Sequence, residues 1–393
     1  MIKQSKKNIS ILGSTGSIGK NTLSIPSVRD NLFIHALIAG KNINLLTEQS
    51  LAFRPKYAVI FEEKKYKELK SNLFGSGIKI KSGKESVLDV ISQPTDIVLS
   101  AISGSAGIEP TLSAINNTEK LAIANKESIV TCGNLLFDKK INHKTSIVPV
   151  DSEHNAIYNL LKNVEKKNLK EIILTASGGP FLSTPIEQLS KVTVEDALKH
   201  PTWNMGKKIT IDSATLINKG LELIEASYLF QINHKKIRVL VHPESIIHGM
   251  VSMKDGTTNA LLSIPDMKIP ISNAIFGTVD NALEFKNINF YDIEKLTFKK
   301  PDNDRFPALK MARDAIDLGP QALVAYNAAS EVAVQNFLLK KISFSDIYKV
   351  MKSCLVYSET LKNNDISNLK NILSLGHKIK TYASNTIKEK RWC

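Results

Sequence analysis

A short apolar run, Ile9-Ser-Ile-Leu12, passes without a break into Gly13-Ser-Thr-Gly-Ser-Ile-Gly19 and then into a helix start. Such a glycine turn between a buried strand and a helix lets the backbone approach a pyrophosphate, which then rests on the N–H groups of the helix N-terminus. The spacing is GxxGxxG, a variant of GxGxxG, and a plain glycine turn in any βα unit has the same look. Its position after the first strand favours a dinucleotide. Pro26 falls late in the helix that should follow, which predicts a short or kinked helix.

The pattern continues as an open, parallel, doubly wound sheet. Phe33 to Ala39, Tyr57 to Phe61, Asp96 to Ile102 and Leu121 to Ala124 read as strands, with helical segments such as Lys64 to Ser71 and Ile108 to Asn116 between them. After the second strand, where an NAD site usually carries an acid for the ribose hydroxyl, stands Gly40-Lys41-Asn42. A cation there favours the 2′-phosphate of NADP, so NADPH is expected over NADH; an ordinary loop lysine is the alternative. The turns Ser103-Gly-Ser-Ala-Gly107 and Asn125-Lys-Glu-Ser128 follow two of the strands and are further candidate cofactor contacts.

At the end of a sixth apolar run, Ile147 to Val150, come Asp151 and Glu153. In extended chain a spacing of two turns both carboxylates to one side, half of a site for a hard divalent cation. A helix cap built by Asp151 and Ser152 explains the same residues. Beyond them, Glu171 to Thr175 reads as a strand running into Ala176-Ser-Gly-Gly-Pro180, where backbone N–H groups and the Ser177 hydroxyl suit an anion, or simply form a turn. His200-Pro-Thr-Trp-Asn-Met-Gly206 puts large apolar groups in a loop, as a lid or as surface packing. Lys208 to Ile211 is expected as a strand, Asp212 to Thr215 as a polar turn, and Asn218 to Phe230 as a helix. Lys219, Glu222 and Glu225 share a face of that helix, either a solvated ion-paired surface or, with Asn218 and Ser213, a place for phosphate or hydroxyls. Two histidines, His242 and His248, have no zinc spacing and read as structural. Residues 249–253 and 259–263 form a hairpin around Asp255-Gly256, and Phe306 to Leu318, Gln321 to Lys340 and Ser345 to Ser358 are helical.

Composition removes other classes. At 393 residues and 42% hydrophobic the chain holds two or three cores, and no apolar run nears the roughly 20 residues that span a bilayer. The charge of +14 comes from lysine pairs scattered along the chain rather than from a basic block with interleaved aromatics, which argues against nucleic acid. Three cysteines without metal-ligand spacing, and an N-terminal run too short for a signal peptide, set a cytoplasmic expectation.

Together, GSTGSIG (Gly13 to Gly19), ANKES (Ala124 to Ser128), VDSEHNAI (Val150 to Ile157), SGGPF (Ser177 to Phe181), HPTWNMG (His200 to Gly206), DSATLINKGLE (Asp212 to Glu222) and PDM (Pro265 to Met267) give the chain a close resemblance to 1-deoxy-D-xylulose 5-phosphate reductoisomerase. The resemblance runs along nearly the whole length. It implies Mg²⁺ or Mn²⁺ held by Asp151, Glu153 and Glu222, and a substrate phosphate at Ser177, His200, Ser213 and Asn218. Lys219 falls beside the substrate hydroxyls and Ser152 near its carbonyl end, with Lys219, Glu153 and His200 as the catalytic set. Trp203 and Met205 match a closing loop. NADPH contacts fall on Thr15, Gly16, Ser17, Ile18, Gly40, Lys41, Asn42, Asn125, Lys126, Glu127, Gly206 and Met267. Thr202, Asn204 and Ser330 depart from the family pattern. The implied reaction, in isoprenoid precursor biosynthesis, is metal-dependent rearrangement and NADPH reduction of a phosphorylated ketose, with retroaldol cleavage and re-addition favoured over a concerted shift.

The implied architecture is α/β: an N-terminal Rossmann-like doubly wound domain (1–150), a central α+β catalytic domain (151–285, lid loop 199–208), a linker (286–304) and a C-terminal helical domain (305–393). By the same resemblance a homodimer is expected, while the missing apolar span and the scattered lysines set the expectation of no membrane or nucleic-acid partner. A metal-independent NADP-dependent oxidoreductase acting on another phosphorylated substrate is the competing reading.

Overall fold

The computed structural model describes residues 6–137, 144–203, 205–278, 283–285, 287–361 and 363–390; Asn204 lies outside them. The chain folds as two compact units, each built from separate segments. The first comprises residues 1–128, 140–155 and 266–286, and the second 129–139, 156–265 and 287–393.

The first unit holds seven strands, β1 (Lys7–Leu12), β2 (Leu32–Ala39), β3 (Tyr57–Ile60), β4 (Lys79–Ser82), β5 (Thr95–Ser100), β6 (Thr118–Ile123) and β7 (Ser146–Pro149). Their order is β4-β3-β2-β1-β5-β6-β7 and every pairing is parallel. The chain therefore moves outward from β1 to β4 and returns beside β1 at β5. Ligands in such sheets bind beyond the carboxyl ends of the strands at this reversal. Its strands read as near-continuous apolar runs because both faces are covered, and Ile9, Ile11, Leu37, Val59, Val98, Leu99, Leu121 and Ile123 are fully buried. The edge strand β4, Lys-Ile-Lys-Ser, lies outside the apolar pattern and was not among the expected strands.

Pro26 resolves as expected of a helix breaker. The helix Ser17–Leu23 stops, and Pro26 opens a second one, Pro26–Asn31, at the position where its missing N–H costs nothing. Helix Lys268–Phe276 returns late in the chain to pack against Ser17–Leu23 and β6, with the Lys120 ammonium donating to the Ile275 carbonyl at 2.7 Å.

The second unit carries a mixed sheet of β8 (Leu169–Ala176), β9 (Ile237–Val241), β10 (Ile247–Met253) and β11 (Thr258–Leu262), in the order β11-β10-β8-β9. Helix Ile217–Leu229 covers it through Leu223 and Ala226, and the residue that ends the helix, Phe230, joins them with Ile172, Leu174, Val239 and Val251 in one buried cluster. Helices Ala308–Leu318, Pro320–Leu338, Phe344–Glu359 and Leu369–Glu389 pack in the same unit. The last of these was not anticipated.

One expectation fails outright. Lys208 to Ile211, read as a strand, and Asp212 to Thr215, read as a turn, form the helix Lys207–Ala214. The Lys208 ammonium reaches the nearly buried Asp212 carboxylate at 2.8 Å, an i, i+4 pair, and Thr210 Oγ1 donates to the Gly206 carbonyl at 3.0 Å. These bonds exist only in helical geometry and outweigh the β preference of Ile209, Thr210 and Ile211.

Candidate active site

In the first unit the glycine turn sits at the sheet's reversal point. Gly13 has φ +87°, and a Cβ on it would lie 2.5 Å from the Ala101 carbonyl oxygen, so β1 and β5 emerge too close for any side chain there. The N–H groups of Gly13 and Ser14 both donate to Ile38 O, at 2.8 and 2.9 Å, which fixes the turn to β2. Thr15 and Ile18 are half-buried and Gly16 and Ser17 exposed at the mouth. Gly40, Lys41 and Asn42 are all exposed at the end of β2, and Asn42 caps helix Ile43–Phe53 by accepting from Leu45 N at 3.2 Å.

Asn125 is buried, and its amide is engaged by protein. Its Nδ2 donates to the carbonyls of Ile102 at 2.7 Å and Gly104 at 3.0 Å, and its Oδ1 accepts from Ser128 N at 2.9 Å. Glu127 joins this knot by accepting from Gly104 N at 3.2 Å. The two turns expected to face the cofactor are thus tied to each other, with Asn125 shaping the wall. Met267 is half-buried as the residue before helix Lys268–Phe276, the same helix that packs on Ser17–Leu23.

Asp151 and Glu153 are not in extended chain. Glu153 lies in the first turn of helix Ser152–Leu161, and Asp151 Oδ1 accepts from the N–H groups of Glu153 and His154 at 3.1 and 3.2 Å. The helix-cap reading is therefore present in the structure, and it is compatible with ligation, since a cap occupies one carboxylate oxygen. The two acids offer oxygens within 4.8 Å of one another, and Lys126 forms a short ion pair with the other Asp151 oxygen. His154, given no role by its spacing, is fully buried with Nδ1 3.0 Å from Asp151. Ser152 Oγ donates to Glu153 at 3.0 Å.

In the second unit Ser177 opens the loop that leaves β8. Gly178 and Gly179 both have positive φ, +86° and +68°, and a Cβ on Gly179 would lie 3.2 Å from the Ser213 carbonyl, so the loop presses against the end of helix Lys207–Ala214. Ser177 and the Ser213 end of that helix are thereby brought together. Leu216, φ +55° and buried, makes the sharp step into helix Ile217–Leu229, whose first turns carry Asn218, Lys219 and Glu222. Glu222 is 0% exposed, and its two oxygens accept from Asn218 and Lys219. A carboxylate so buried requires such cationic and hydrogen-bonded compensation.

His200 Nδ1 accepts from the backbone N–H groups of Thr202 at 3.2 Å and Trp203 at 2.9 Å. A ring nitrogen that accepts carries no proton, so the neutral ring holds its hydrogen on Nε2 and donates it to Ser177 Oγ, 3.0 Å away. Ser177 then keeps its own proton to donate. Trp203 is half-buried with its ring 6.2 Å from that of His248, Met205 is half-buried, and Gly206 is exposed. The loop ends at Gly206, because Lys207 and Lys208 belong to the helix.

Burial lowers the His200 pKa from the ordinary 6.5. In the window just below 6.5 the unfolded chain then binds more protons, so stability rises with pH there and is lost as pH falls. The thermal midpoint is expected to drop as pH is taken from 7 toward 5, and His200→Gln to flatten that slope in parallel melts. His35, lowered by burial and by Lys56, retains its own share.

Comparison with known proteins gives one answer. Residues 9–133 match the family described as 1-deoxy-D-xylulose 5-phosphate reductoisomerase, and residues 147–230 and 262–382 match its two C-terminal domain descriptions. The enzyme of that name from Wolbachia pipientis subsp. Culex pipiens is 42% identical over 98% of this chain and 99% of its own. A crystal structure of DOX-P reductoisomerase with NADPH, fosmidomycin and magnesium superposes with a TM-score of 0.89 at 36% identity, covering 97% of this chain and 98% of the other. The Zymomonas mobilis reductoisomerase with NADPH gives 0.89 at 37% identity over 98% and 99%.

Proposed function

The chain belongs to the 1-deoxy-D-xylulose 5-phosphate reductoisomerase family, and on that premise we propose how its residues perform the metal-dependent rearrangement and NADPH reduction of 1-deoxy-D-xylulose 5-phosphate to 2-C-methyl-D-erythritol 4-phosphate. The observation that carries the reading is the pairing of Asp151 and Glu153 at a helix start, two hard oxygen donors within 4.8 Å of each other. With Glu222 they make an all-carboxylate set that fits Mg²⁺ or Mn²⁺ and contains no soft ligand. When bound, the cation supplies Lewis acidity toward adjacent substrate oxygens, and NADPH supplies the hydride.

The chain's own residues do the rest. Asp151 is oriented by the helix start and by Lys126, and Glu222 by Asn218 and Lys219. Lys219, with its ammonium on Glu222, is the cationic donor for the substrate hydroxyls, and Ser152 attends the carbonyl end. Ser177, Ser213, Asn218 and His200 hold the phosphate, His200 as the neutral tautomer that leaves the Ser177 proton free for it. Binding energy from this remote group serves the reacting carbons. Thr15, Gly16, Ser17 and Ile18 receive the NADPH pyrophosphate and Lys41 its 2′-phosphate, while Met267 borders the nicotinamide and Gly206 is a further cofactor contact.

Trp203 and Met205 close over the substrate and exclude water. Trp203→Ala is expected to leave the NADPH dissociation constant within about twofold and to lower kcat by roughly 10- to 100-fold; unchanged turnover in steady-state assays would remove the lid role. The linear division into residues 1–150, 151–285, 286–304 and 305–393 is a division by task, and the reaction belongs to a cytoplasmic homodimer. Among the described residues no helix is long and apolar enough to cross a membrane. The assignment is tested by incubating the protein with 1-deoxy-D-xylulose 5-phosphate, NADPH and Mg²⁺ and identifying the product by NMR. Branched 2-C-methyl-D-erythritol 4-phosphate supports it, whereas an unbranched polyol phosphate returns a plain oxidoreductase.

A further inference from the structure

The loop that carries Ser177 is held from behind. After Gly178 and Gly179 the chain turns through Phe181 to Thr184 before helix Ile186–Leu189. Phe181 is buried edge-on against Phe344, ring centroids 5.2 Å apart, and this anchors one point. The second anchor is Arg305. Its Nη1 donates to the Thr184 carbonyl at 2.8 Å and its Nη2 to the Leu182 carbonyl at 3.0 Å, while Nε donates to Asp302 Oδ2 at 2.8 Å. Asp302 Oδ1 in turn accepts from the N–H groups of Asp304 and Arg305, at 3.1 and 3.0 Å. Those bonds, first from the Arg305 backbone and then from its guanidinium, hold the Asp302 carboxyl below its ordinary range.

Packing holds the loop at Phe181 and where Gly179 meets the end of helix Lys207–Ala214. Beside the loop lies a cavity of about 120 Å³, lined among others by Gly178, Leu182, Leu216, Arg305 and Phe306. Gly178 and Leu216 adjoin, respectively, Ser177 and the turn between Ser213 and Asn218. With two left-handed glycines as the joint and this space beside Gly178 and Leu182, the guanidinium fork supplies the polar ties that fix the Leu182 to Thr184 side of the loop.

We propose that Arg305 is a positioning residue for the substrate phosphate: through the Leu182 and Thr184 carbonyls it holds the Ser177-Gly-Gly loop at the height at which Ser177 meets the phosphate. The fork is essential, because lysine has a single point donor and cannot bridge two carbonyls and Asp302 in one plane. The proposal rests on the reading of Ser177 as a phosphate contact.

Its test is a double-mutant cycle in steady-state kinetics on the full chain, with Arg305→Lys, Ser177→Ala and the two combined. Arg305→Lys is expected to raise KM for 1-deoxy-D-xylulose 5-phosphate by roughly tenfold, the scale of losing one or two hydrogen bonds that hold a binding loop. The kcat and the NADPH dissociation constant should stay within about twofold, and the double variant should be no worse than the larger single effect. If Ser177→Ala raises KM while Arg305→Lys does not, the inference fails alone. If Ser177→Ala leaves KM unchanged, the phosphate assignment beneath it fails. Multiplying effects, or equal losses toward both substrates, show general loosening and overturn the positioning role. Should Arg305→Lys not fold, Asp302→Asn, which removes the charge that orients the fork, takes its place with the same expected split.

Discussion

Replacing Glu222 with glutamine is expected to lower kcat/KM for the ketose phosphate by about a thousandfold, the several kcal/mol that a correctly held cation contributes to a charged transition state. The half-saturating Mg²⁺ concentration should rise in parallel. Glu222 is fully buried, and both of its oxygens accept hydrogen bonds, from Asn218 and Lys219. Glutamine has nearly the same shape but turns an NH₂ toward one of those donors and removes the charge, so the cation loses a ligand and Lys219 its partner. NADPH affinity, measured by fluorescence titration, should be unaltered, since the glycine turn belongs to the other compact unit. Glu222→Asp, which keeps the charge on a shorter arm, should retain more activity than Glu222→Gln. Equal activity of wild type and Glu222→Gln at limiting Mg²⁺ would remove Glu222 from the ligand set.

A second large effect is expected at Gly19. A Cβ there would lie 2.5 Å from the Gly13 carbonyl oxygen and from Ser14 Cα, both backbone atoms of the turn itself. The turn has no flexible side chain to move aside, so Gly19→Ala must open it and shift the N–H groups of Thr15 to Ile18. NADPH affinity should fall by about 100-fold, or about 2.7 kcal/mol, while Mg²⁺ dependence at saturating cofactor is unchanged. An unaltered dissociation constant would show that the pyrophosphate does not rest on this turn.

The seven-stranded parallel sheet was legible because its signals are local. A buried parallel strand is a continuous apolar run, and the turn after β1 admits only glycine at Gly13, whose Cβ would meet Ala101 O. The edge strand β4 escaped because Lys79-Ile-Lys-Ser82 has one neighbour and little to bury. Helix Lys207–Ala214 was misread because three residues with β preference fill its centre, and the bonds that decide it, Lys208 to Asp212 and Thr210 to Gly206, follow from the helix rather than announce it. Of the two geometries read for the acid pair, the extended chain fails and the helix cap holds: Asp151 caps a helix and Glu153 sits within it, so the spacing of two reflects a helix start. Arg305 had no signal, since its partners are carbonyls more than a hundred residues away that only the fold brings to it, whereas His154 meets Asp151, three residues before it, once the helix start is formed.

The central claim is that a divalent cation on carboxylates is required for NADPH to be consumed with this substrate. The direct measurement is NADPH oxidation in the presence of 1-deoxy-D-xylulose 5-phosphate, with metal stripped by excess chelator and then restored. The account predicts loss of turnover on chelation with NADPH still bound, and recovery on adding Mg²⁺ or Mn²⁺. Full-rate oxidation in excess chelator would contradict it.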